Sequence, residues 1–86
     1  MGVYFMKTIG DVVVERLLQY MEEQKLTQYK LAKISYVPLP TVKSIMQRRT
    51  KGISLKTVIM FSKGLGITPS EFMDYDAFTA DDLELE

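Results

Sequence analysis

The segment Ser35-Tyr36-Val37-Pro38-Leu39-Pro40 constrains this chain more than any other. A proline disfavours helical backbone in the residue before it, which pushes Val37 and Leu39 away from the helix. Within the first turn of a helix proline is tolerated, because its missing N–H has no partner to lose. One helix therefore stops near Ser35, and another starts near Leu39 or Pro40. Upstream, Thr27 is an N-cap whose hydroxyl can accept from free first-turn amides. Leu26 and Leu31 stand at the N′ and N4 positions of a hydrophobic staple. Leu31, Ala32 and Ile34 supply apolar positions, and Ala32 is small enough to admit a second helix closely. Downstream, Val42, Ile45 and Met46 turn toward a core, with Thr41, Lys43, Ser44, Gln47 and Arg48 elsewhere. Two short helices joined by a tight turn make a helix-turn-helix unit, which by itself need not touch DNA.

Three more helices are expected around this unit. The first begins between Thr8 and Asp11 and ends near Gln24, with Val13, Leu17, Tyr20 and Met21 on one buried stripe. Asp11 and Glu15 suit the positive end of its dipole. The basic stretch Gln47–Gly52 turns at its glycine. Ser54 then caps a fourth helix, with Ile53 and Val58 as staple partners. Leu55, Val58, Ile59, Ser62 and Leu65 read as its packed face, Phe61 lies at the edge, and Gly66 is a left-handed C′ residue. A short fifth helix opens at Thr68-Pro69-Ser70-Glu71, where Thr68 and Glu71 make a capping box and Ile67 and Phe72 the staple. Met21, Met46, Met60 and Met73 are expected to fill core gaps, with no reason to invoke a cofactor. Residues 1–7 read as an N-terminal arm, whose Val3, Tyr4, Phe5 and Met6 would pack on the domain or on a partner. The domain itself spans 8–75, and 76–86 reads as a solvated acidic tail.

With 86 residues the chain has material for one small domain. Cys and His are both absent, so disulfides, ordinary zinc sites and Ser-His or Cys-His catalytic pairs are excluded. The start lacks a basic n-region and its apolar run is broken by Lys7 and Asp11, unlike a signal peptide. No stretch approaches the length of a membrane span. A cytoplasmic location is expected. Net charge is zero, but the charges are segregated. Between Gln24 and Ser70 stand Lys25, Lys30, Lys33, Lys43, Arg48, Arg49, Lys51, Lys56 and Lys63, with no carboxylate. All eleven acidic residues lie outside that window, beside only Lys7 and Arg16. Such segregation suits a polyanionic partner.

The pattern of Gln28, the Leu31-Ala32 pair, Val37, Thr41, Val42 and Ile45 resembles the helix-turn-helix of the phage-repressor, Cro/Xre-like family. The resemblance runs from about Val13 to about Phe72. It implies an all-α, five-helix lambda-repressor-like domain that binds double-stranded DNA. It implies that Gln28, opening the second helix, grips the DNA backbone, and that Leu39, Pro40, Lys43 and Ser44 meet base edges in the major groove. Thr41, Gln47, Arg48, Arg49 and Lys51 are candidates for phosphate contacts. Three departures from the family pattern stand out. Leu39 and Pro40 lack the bidentate side chains that read adenine or guanine, and offer apolar contact, for instance to thymine methyls. Lys25 and Tyr36 stand where the family places glycine with positive φ, so each turn is strained or rebuilt.

The expected function is a sequence-specific transcriptional regulator, a repressor acting as a homodimer. One short recognition helix binds weakly alone, and half-sites one helical turn apart suit a two-fold dimer. Two alternatives stand beside it: an antitoxin-like DNA-binding protein that also holds a protein partner, and an interaction module that has lost DNA binding. An enzyme is disfavoured, since no acid–base pair or nucleophile constellation is present. Asp81, Asp82, Glu84 and Glu86 would repel non-specific DNA or pair in trans with the basic face.

Overall fold

The computed structural model describes residues 6–85. The expected packing of Val3, Tyr4 and Phe5 falls outside that range. Five α-helices follow one another: α1 (Ile9–Gln24), α2 (Gln28–Ser35), α3 (Leu39–Met46), α4 (Leu55–Leu65) and α5 (Pro69–Met73). The fold is all-α, as expected, with short caps setting most boundaries. Thr27 accepts from the Lys30 amide at 3.1 Å, Ser54 from Thr57 at 3.1 Å, and Thr68 from Glu71 at 3.1 Å. A full reciprocal capping box forms at Thr8 and Asp11 instead. At α5 only the Thr68 half of the expected box is present.

Helix ends repeat one device. In α1, the Leu26 amide donates to the Met21 carbonyl at 2.8 Å and the Lys25 amide to Glu22 at 3.3 Å, with Lys25 left-handed at φ 57°. In α4 the same pair of bonds closes over Gly66, and in α3 over Arg48, at φ 59°. This is the Schellman arrangement, which satisfies carbonyls left over at a helix end. Tyr36 closes α2 in the left-handed region too, at φ 60°. The prolines have not rebuilt that turn, and its conformation survives without glycine. Ser35 supports it from inside, donating to the Leu31 carbonyl at 2.6 Å and accepting from the Val37 amide at 3.4 Å.

The core gathers Val13, Val14, Leu17, Leu31, Val42, Ile45, Val58, Phe61, Leu65 and Phe72. Phe61 is fully buried rather than at an edge, and Leu55 is 69% exposed rather than packed. A helical side chain leans toward the helix N-terminus, so one in the first turn overhangs the packed stripe. Ile34 and Met73 are also exposed, while Met46 and Met60 pack at the core margin. Helix α4 meets α2 closely at Gly64 and Ser35, where a Cβ on Gly64 would come within 2.7 Å of the Ser35 Cα.

Beyond α5 the chain does not run free. A 3-10 turn, Asp76–Thr79, brings Phe78 to the core margin, 6.4 Å from the Phe72 ring. Further on, the Glu84 amide donates to the Lys7 carbonyl at 2.8 Å, and Thr8 and Glu84 form a parallel bridge. The segment therefore docks at Phe78 and Glu84, where a solvated tail was expected, while Asp76 and residues 79–82 are exposed. Two aromatic rings and a backbone bond hold the segment where net charge alone favoured water. Arg16 fastens α5 to α1, donating to the Phe72 carbonyl at 3.0 Å and the Glu71 carbonyl at 2.7 Å, with Tyr20 and Tyr75 rings against its guanidinium. Among the described residues no helix is long and apolar enough to cross a membrane.

Candidate nucleic-acid interface

Helix α3 presents a row of side chains to solvent. Val42 and Ile45 anchor it to the core, three residues apart on one face. Pro40, Thr41, Lys43 and Gln47 are exposed, and Leu39 and Ser44 are half-buried. Gln28 is half-buried at the first position of α2. At its leading end α3 has Pro38 at the cap position and no side-chain cap bond. Beside that end lies an open groove of about 410 Å³, lined by Tyr29, Lys33, Tyr36, Val37, Pro38 and Leu39 among others. Tyr36 is 85% exposed there. Neither Tyr29 nor the side chain of Tyr36 is among the site residues expected from the sequence. The signal available was an aromatic residue in a turn with no core to enter.

The trailing end is built differently. The Gly10 amide donates to the Lys51 carbonyl at 2.8 Å, and a Cβ on Gly10 would collide with the Thr50 carbonyl. Arg48 donates to the Asp11 carboxylate at 3.0 Å, and the Lys51 ammonium lies 3.6 Å from Glu84. Nearby, Lys7 pairs with Glu15 at 2.8 Å, and the Tyr75 hydroxyl donates to the same carboxylate at 2.9 Å. The Thr8 amide, with Arg48, holds the Asp11 carboxyl below its ordinary range against the effect of burial. Burial pushes the Glu15 carboxyl up, but hydrogen bonds from Lys7 and Tyr75 outweigh it and leave it low. Glu15 in turn raises the Tyr75 hydroxyl.

Of the expected site residues, Arg48 and Lys51 thus hold carboxylates of their own chain. Lys43 and Arg49 make no ion pair among the described residues, and neither do Lys25, Lys30, Lys33, Lys56 or Lys63. Glu84 pairs within the chain, at Lys51, where pairing in trans was one expectation.

A family model described as the Cro/C1-type HTH DNA-binding domain matches residues 16–77. The chain belongs to that family. The Cro/C1-type match takes in all of α2, α3, α4 and α5 and the larger part of α1. It makes the protein a DNA-binding regulator of transcription, from a family whose domain is regulatory and not typically enzymatic. No curated protein and no solved structure matches the chain.

Proposed function

We propose that this Cro/C1-type domain is a sequence-specific repressor that lays α3 in the major groove of double-stranded DNA. The observation that carries the proposal is the absence of any carboxylate between Gln24 and Ser70, around a helix whose Pro40, Thr41, Lys43 and Gln47 face solvent. A base-reading role is assigned to Leu39, Pro40, Lys43 and Ser44, the first, second, fifth and sixth residues of α3. Gln28, Thr41, Gln47 and Arg49 are assigned to the sugar–phosphate backbone. Arg48 and Lys51 are secondary members of that set, since a phosphate has to compete with Asp11 or Glu84 for them.

A homodimer fits the short length of α3, which reads only one half-site. Exposed apolar side chains at Leu55 and Met73 make the α4–α5 region a candidate for the contact between protomers. Such a regulator would work in the cytoplasm.

Selection of bound fragments from random duplex DNA tests the proposal. Enrichment of a two-fold symmetric sequence is expected, with two protomers per duplex in sedimentation. Against the selected duplex, Arg49→Ala lowers the slope of log affinity on log salt by roughly 0.9, one phosphate contact's share. Arg48→Ala moves it less. A pool that enriches nothing at low salt would count against the whole proposal.

A further inference from the structure

The leading end of α3 is poorly equipped for the usual polar contacts. Pro38 and Pro40 have no N–H, so two of the amides a helix start can turn toward a phosphate are missing. Neither they nor Leu39 carries a side-chain donor or acceptor. What this end offers is apolar surface, continuous through Pro38 and Leu39 with the groove that Tyr29 and Tyr36 line. The surroundings are cationic. Lys33 lines the groove, with its ammonium 5.9 Å from the Tyr29 ring centre, and Lys30 is exposed on the same helix. Lys43 follows Leu39 by four residues and so shares its stripe of α3. An apolar surface set among lysines, in a window without carboxylates, complements a polyanion that carries apolar groups on its edges.

Duplex DNA has one such group in the major groove, the C5 methyl of thymine. We propose that Leu39 and Pro40, with the groove beside them, form a methyl-reading surface. It recognises thymine, and equally 5-methylcytosine, which carries its methyl at the same ring position. The proposal rests on the duplex-binding function above and gives it a substrate preference: half-sites rich in pyrimidine methyls, and affinity that responds to cytosine methylation.

Base substitution in the selected duplex tests it without altering the protein. Replacing thymine by deoxyuridine at each half-site position in turn is expected to weaken binding about four-fold per methyl lost at one or two positions. At those positions cytosine binds weakly, and 5-methylcytosine regains about four-fold. Leu39→Gln, checked for helical content by circular dichroism, binds the thymine and uridine duplexes alike.

If every uridine duplex binds within about two-fold of its parent, a shift below one buried methyl, the methyl reading is overturned while DNA binding stands. If no duplex is selected at all, both fall. A second copy is the competing occupant of the groove. Dimers of the DNA-free protein that Tyr36→Asn dissociates, together with indifference to uridine, would assign the groove to that copy and overturn the proposal.

Discussion

The two ends of α3 lie only about 12 Å apart, eight residues at the rise of a helix, yet they are governed by different forces. The trailing end is tied by charge and backbone: Arg48 to Asp11, Lys51 to Glu84, and the Lys51 carbonyl to the Gly10 amide. Among the described residues the leading end has no ion pair and no side-chain cap bond, and it presents proline and leucine. Cations alone therefore do not identify the surface that meets a ligand. Arg48 looks like the strongest phosphate ligand by residue type, but it is already occupied. Lys43 is less conspicuous in sequence, makes no such pair, and stands one turn from the apolar end.

The largest effect that can break this comparison comes from beneath both ends. Leu31, fully buried under the unit, is expected to cost about 2–5 kcal/mol on Leu31→Ala. A chemical-denaturation midpoint at the wild-type value would show that it supports neither end. Gly10→Ala drives a methyl into the Thr50 carbonyl and is expected to cost about 1–3 kcal/mol. Gly52→Ala, whose Cβ meets nothing, serves as the control with little change.

Acid should loosen the trailing end selectively. The Asp11 and Glu15 carboxyls are held below their ordinary values of 3.8 and 4.5, so the unfolded chain binds their protons more readily. Their contribution is full above those values and is lost as pH falls through the lower folded ones. The denaturation midpoint is expected to drop between about pH 6 and about pH 3, less steeply in Asp11→Asn. The smallest effect is expected from Glu84→Gln, which removes a long, exposed pair with Lys51 and should change stability by about 0–1 kcal/mol. A larger loss would mean that the C-terminal segment is held by charge rather than by Phe78 and the Glu84 backbone bond.

The helices were legible in the sequence because caps are local. Thr27, Ser54, Thr68 and Gly66 each act on residues within one turn, so a short window is enough to place them. The core stripe of α1 was legible for the same reason. Leu55 and Phe61 were misjudged because periodicity gives an angle around a helix axis and not where along that axis the neighbouring helix ends. The docking of residues 76–84 left no local trace: it depends on Phe78 meeting Phe72 and on Glu84 meeting Lys7, 77 residues apart in sequence. Of the candidate site, residue types and their exposed side of α3 could be read directly. The capture of Arg48 and Lys51 could not, because it takes a carboxylate from each far end of the chain.

Lys25, Tyr36 and Arg48 share a left-handed backbone that L-residues with a Cβ adopt at a cost of roughly 1–2 kcal/mol. Glycine at any of the three would relieve most of that penalty, less its own greater freedom in the unfolded chain. The molecule therefore keeps a reserve of thermal resistance that no new contact is needed to release. Drawing on it would delete the Lys25 charge and the Tyr36 ring from solvent-facing turns, and at Arg48 would also break the pair with Asp11.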